Sequence, residues 1–147
     1  MIALLHDNFF TGENCLELKN THDPNQPSFG NTRPMPIVLS KPMLDTIHKV
    51  SRTLANSIVD WAQIVHWPTG SFQELHYDTA SSKTTLSSIC YLNDNFTGGE
   101  TYFKDGTIFS AKKGRILFFD GNHFLHGVKK IESGDRYTLA IWYKKAT

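Results

Sequence analysis

The sequence predicts a mainly β fold with flanking α, a double-sheet jelly roll buttressed by one long and one short helix. Three observations carry this expectation. One strong helical pattern covers residues 42–62. From about residue 62 the texture changes to short segments rich in Ile, Val, Thr, Phe, Tyr and Trp. Turn signals then recur at Pro68-Thr69-Gly70, Gly98-Gly99, Asp105-Gly106, Lys113-Gly114, Asp120-Gly121 and Gly134-Asp135. Many short strands at such spacing indicate an antiparallel sandwich or barrel.

The short helix is expected around Glu13 to Leu18. After it comes NTHDPNQPSFGNTRPMP, residues 20–36, with four prolines among turn-forming Asn, Asp and Gly. That composition predicts a long exposed loop without regular structure, and a loop of that length in a small domain is often functional. It is the segment expected to close over a substrate. In the long helix, PMLDTIHKVSRTLANSIVDWA, Pro42 suits a first turn, and Leu44, Ile47, Leu54 and Ile58 fall at helical spacing.

A chain of 147 residues fits one domain, residues 1–147, with one site inside it. Lysine and arginine number 15 against 14 acidic residues, a net charge of +1, so no nucleic acid partner is expected. Cys15 and Cys90 form no CxxC pair and read as reduced thiols. No basic leader region opens the sequence and no stretch approaches membrane-spanning length, so the expectation is a soluble, cytoplasmic protein with no membrane partner.

The chemistry starts at His76-Tyr77-Asp78. On an extended chain, side chains two positions apart leave the same face, so this pair can reach one ion. Among seven histidines the pair alone is a weak signal. His126 is the best third ligand, following the apolar segment GRILFFD and standing 50 residues after His76. His123 is the alternative. Two histidines and one carboxylate leave open positions on an octahedral metal, the pattern of non-haem iron(II) oxygenases. Arg136, ten residues past His126, shares one face of the strand GDRYTLAIWYKK with Thr138, Ala140 and Trp142. An arginine pointing into a barrel is costly without an anion beside it, and a bound dicarboxylate would supply one.

In order along the chain, five motifs resemble the prolyl-4-hydroxylase branch of the 2-oxoglutarate oxygenases. They are LLHDNFFTGENCLEL (4–18), IVHWPTGSFQELHYD (64–78), YLNDNFTGGETYF (91–103), GRILFFDGNHFLHGV (114–128) and GDRYTLAIWYKK (134–145). The resemblance implies a double-stranded β-helix in which His76, Asp78 and His126 hold Fe(II). Arg136 would pair with the distal carboxylate of 2-oxoglutarate and Tyr91 would donate its hydroxyl to it, with Thr101 and Thr138 lining the same pocket. It implies a dioxygenase using O2 and 2-oxoglutarate, with ascorbate as a supporting reductant, that hydroxylates an unactivated carbon, above all on a prolyl residue of a proline-containing peptide or protein. The alternatives are a free amino acid or other small molecule as substrate, or a non-catalytic jelly-roll module that binds metal or 2-oxoglutarate. One departure stands out: nine residues before His76 the family usually has tyrosine, and this chain has Trp67.

Overall fold

The chain alternates short strands with two helices. In order these are β1 (Ala3–His6), α1 (Gly12–Thr21), β2 (Arg33–Ile37), α2 (Lys41–Ala55), β3 (Ser57–Trp67), β4 (Gln73–His76), β5 (Leu86–Tyr91), β6 (Thr97–Gly98), β7 (Thr101–Phe103), β8 (Ile108–Phe109), β9 (Ile116–Phe119), β10 (His126–Val128), β11 (Ile131–Ser133) and β12 (Arg136–Lys145). The computed structural model describes residues 3–79 and 81–147. Both helices start at hydroxyl caps: Thr11 Oγ1 accepts from the Asn14 N–H at 3.1 Å and Ser40 Oγ from the Met43 N–H at 3.4 Å. Each such cap stabilises its helix by about 1 kcal/mol.

Two expectations need correction. The long helix stops at Ala55, not at residue 62. Asn56 takes a left-handed conformation with φ 47°, and its N–H closes on the Arg52 carbonyl at 3.0 Å. Asparagine tolerates that geometry as a helix stop, and the β-branched Ile58 and Val59 then favour strand. The segment 20–36 is also not irregular throughout, because β2 occupies its last residues. Pro34 and Pro36 sit opposite Val65 and Gln63 on β3. They are tolerated because β2 is the edge of its sheet, where a missing N–H need not break a ladder.

The larger sheet has six strands in the order β1-β9-β5-β12-β3-β2, the smaller has four in the order β4-β10-β7-β8, and β11 pairs with β6. The fold is a double-stranded β-helix with both helices on one side. Alternation along the strands divides the larger sheet into two faces. Leu139, Ile141 and Tyr143 of β12 join Ala62 and Ile64 of β3 under the helices, where Cys15, Leu18 and Ile47 close the main core. The two cysteines are buried and free. The opposite face, with Val65, Trp67 and Ala140, turns toward the smaller sheet and packs with Val128 and Ile131. Between the sheets lies a cavity of about 500 Å3. Among the described residues no helix is long and apolar enough to cross a membrane.

Candidate active site

β4 and β10 pair antiparallel with His76 directly opposite His126, which places their imidazoles 4.4 Å apart between ring centroids. Asp78 lies just past β4, held by its own N–H on the Gly121 carbonyl at 2.8 Å. One donor atom from each of His76, Asp78 and His126 lies within 4.8 Å of the others. Asp78 Oδ1 is 3.2 Å from His126 Nε2 and 3.6 Å from His76 Nε2. The alternative, His123, is exposed and pairs with Asp120 at 2.8 Å, outside this group.

The surroundings fix how each donor presents itself. His76 Nδ1 faces the Glu74 carbonyl at 2.9 Å and His126 Nδ1 faces the Phe124 carbonyl at 2.8 Å. A carbonyl only accepts, so both Nδ1 atoms carry the proton and both Nε2 atoms present lone pairs to the carboxylate in the neutral tautomer. Ser87 donates to Asp78 Oδ2 at 2.8 Å, which leaves Oδ1 to the histidines. Gly121 makes room for the carboxylate: a Cβ there would overlap Asp78 Oδ2 and come within 2.7 Å of Ser87 Oγ.

Two lone pairs converging on one anionic oxygen demand a cation. Burial pulls the His76 imidazole toward neutrality, but hydrogen bonds to Asp78 and Glu74 outweigh it, and its pKa is raised. Burial pushes the Asp78 carboxyl up, yet the bonds from His126, His76 and Ser87 hold it well below the usual carboxylate range. The donor set therefore fits a divalent metal bound on one face by three groups.

Arg136 opens β12 on the other side of the cavity, with 1% of its surface exposed. Its Nη2 donates to Thr101 Oγ1 at 3.2 Å, while its Nε has no partner among the described residues. Burial lowers its pKa, partly opposed by Tyr91. No carboxylate pairs with it among the described residues, so the site holds a buried cation awaiting an anion, which fits 2-oxoglutarate. Thr101, Thr138 and Arg136 line the cavity together with the three histidine and aspartate donors. Tyr91 lies behind them, fully buried, with its hydroxyl 2.5 Å from Thr101 Oγ1. It reaches the cavity through that threonine.

Sequence reasoning missed Trp61, Ser87 and Gly121, and it reached Phe29 only as part of the 20–36 segment. Trp61 stacks on Trp142 at 4.0 Å with an interplanar angle of 13°, and both line the cavity, as does Phe29, which is 80% exposed. The unrecognised start of β3 hid Trp61, since inside a helix its side chain could not share a face with Trp142.

This fold and donor set are those of the iron(II)- and 2-oxoglutarate-dependent oxygenases. The 2OG-Fe(II) oxygenase superfamily model matches residues 62–144, and the chain belongs to that superfamily. Prolyl 3-hydroxylase 2 of rat, mouse and human is 36% identical over 64 residues, covering 39% of this chain and 9% of the length of those relatives. In structure the chain is similar to the viral collagen prolyl hydroxylase of Paramecium Bursaria Chlorella virus-1 in its 2OG complex. The TM-score is 0.79 at 21% identity, covering 100% of this chain and 97% of the other. It is also similar to a Pseudomonas putida prolyl-4-hydroxylase, with a TM-score of 0.73 at 15% identity over 97% of this chain and 92% of that one.

Proposed function

We propose that this protein hydroxylates an unactivated carbon of a prolyl residue within a peptide or protein, with iron(II) held by His76, Asp78 and His126 and 2-oxoglutarate anchored by Arg136. The observation that carries the reading is one cavity walled on one side by three convergent metal donors and on the other by a buried, unpaired guanidinium.

The choice of a peptide over a free amino acid rests on charge. Apart from the histidines, Asp78 and Arg136 are the only lining side chains, among the described residues, that carry a full charge at neutral pH, and the proposal commits both to metal and co-substrate. A free amino acid would bring a carboxylate and an ammonium with nothing left to receive them, whereas a residue inside a chain brings neither. Trp61, Trp142 and Phe29 line the cavity with aromatic surface, of which Trp61 and Phe29 are exposed, a surface suited to an extended proline-containing segment. The prolyl hydroxylases among the similar proteins support the same reading.

Iron(II), 2-oxoglutarate and O2 together supply the oxidising power, and the co-substrate leaves as succinate and carbon dioxide. The chain's own residues position these reactants. The Nδ1 hydrogen bonds of His76 and His126 hold each Nε2 toward the ion, and Ser87 keeps Asp78 turned so that Oδ1 faces it. Arg136 would fix the far end of the co-substrate, in a buried corner where charge pairing is strong. Trp61, Trp142 and Phe29 would hold the substrate beside the three metal donors.

The test is succinate release with iron(II), 2-oxoglutarate and ascorbate across proline-containing peptides and free amino acids, with product mass read in parallel. A peptide gaining one oxygen atom supports the reading. Oxygen gain confined to free amino acids, or no succinate under any condition, would overturn it.

A further inference from the structure

We infer that the indole Nε1–H of Trp67 is a hydrogen-bond donor to the distal carboxylate of 2-oxoglutarate, acting beside Arg136. The inference rests on the function proposed above and assigns a residue to it. Trp67 ends β3 and is the direct cross-strand partner of Arg136 on β12. It lines the cavity, yet only 7% of its surface is exposed. Its Nε1 is buried with no acceptor among the described residues, the same condition as the Nε of Arg136.

The Arg136 guanidinium lies over the indole, 4.9 Å from the ring centroid. That contact occupies the flat face and leaves the N–H, in the ring plane, uncommitted. Thr101 Oγ1, the acceptor that Arg136 does use, is already shared with Tyr91. Burying an N–H without an acceptor is costly, and phenylalanine or leucine would fill space there without that cost. Two orphaned donors on cross-strand partners in one cavity wall call for a group with two acceptor oxygens. A carboxylate is that group.

The experiment is calorimetric titration of 2-oxoglutarate into the Mn(II)-loaded protein and its Trp67→Phe and Trp67→Tyr variants. Phe and Tyr differ by a hydroxyl alone, so the pair separates a donor from packing. Trp67→Phe should bind about ten- to a hundredfold more weakly, the range for a hydrogen bond to a charged group. Trp67→Tyr should recover part of that loss. Equal affinity of Trp67→Phe and the unaltered protein, or equal losses in both variants, would overturn the inference.

A second readout needs no change at Trp67. The chain has three tryptophans, so the Trp67 indole resonance of the 15N-labelled, Zn(II)-loaded protein is identified by elimination with Trp61→Phe and Trp142→Phe. It should move downfield when 2-oxoglutarate is added, and a stationary resonance would overturn the assignment. An unaltered protein that binds no 2-oxoglutarate would overturn the proposed function itself, and that failure is visible before any substitution is made.

Discussion

Asp78 Oδ1 stands 3.2 Å from Nε2 of His126, a residue 48 positions further along the chain. The contact exists because β10 is laid beside β4, so the second histidine arrives opposite the first. The second oxygen of Asp78 is fixed by Ser87, and Gly121 leaves the space in which that carboxylate sits. Metal affinity should therefore depend on two residues that cannot bind metal. Ser87→Ala should weaken divalent metal binding about 10- to 100-fold, the usual effect of removing a group that orients a ligand. Gly121→Ala should weaken it at least as much, because the added methyl displaces the carboxylate. Titration of Mn(II) into each folded variant checks this, and unchanged affinity would show that Asp78 needs no such support.

Arg136 is a buried cation with an unpartnered Nε, so in the ligand-free protein it is a liability as well as a binding group. Replacing a buried charge with an apolar side chain of similar size is often neutral or stabilising. Arg136→Met should keep or raise the Tm of the ligand-free protein while abolishing the Tm increase that 2-oxoglutarate gives the unaltered one. Arg136→Lys should restore binding in part, since an ammonium carries charge without the planar fork. Thermal scans with and without the co-substrate distinguish these outcomes; a large fall in Tm for the methionine variant would mean that an internal partner stabilises the guanidinium.

Trp61 and Trp142 stack as a cross-strand pair six positions along β12 from Arg136. Trp61→Ala should raise the KM for a peptide substrate about two- to tenfold, matching aromatic contacts of roughly 0.5–1.5 kcal/mol. Affinity for 2-oxoglutarate should stay unchanged. Steady-state kinetics with varied peptide, set beside co-substrate titration, reads both quantities.

Asp7 follows β1, and Arg115 precedes its partner β9. The arginine donates from Nε at 2.6 Å and from Nη2 at 3.2 Å, a two-point clamp on the edge strand. The hydrogen bond from Arg115 holds the Asp7 pKa below its ordinary value. A carboxyl depressed in the folded state contributes stability above its unfolded pKa and loses it as pH falls through the folded one. Asp7→Asn should accordingly lower Tm at neutral pH, and the gap to the unaltered protein should close in strong acid. A gap independent of pH would assign the effect to shape and not to charge.

Much of the site was legible because it is written in local spacing. His76 and Asp78 are two apart on extended chain, and Arg136, Thr138, Ala140 and Trp142 alternate along one strand, so their shared faces follow from periodicity alone. Turn signals also held at Gly70, Gly106 and Gly114, all at positive φ, whereas Gly98, also at positive φ, lies in β6 opposite Ile131. What escaped depends on long-range pairing. Pro34 and Pro36 look like strand breakers until β2 is known to be an edge. Ile58 continues the helical apolar spacing, and only the left-handed Asn56 ends it. Ser87 and Gly121 carry no local mark of their roles, since each is defined by where Asp78 lands after the sheets close.

The most direct test of the metal site is anomalous diffraction at the Mn edge from crystals grown with Mn(II) and 2-oxoglutarate. A single peak should lie within about 2.0–2.3 Å of His76 Nε2, Asp78 Oδ1 and His126 Nε2, the bonding range for nitrogen and oxygen ligands. The co-substrate's distal carboxylate should meet Arg136. A peak bound by other residues, or none between β4 and β10 at saturating metal, would contradict the His76-Asp78-His126 site.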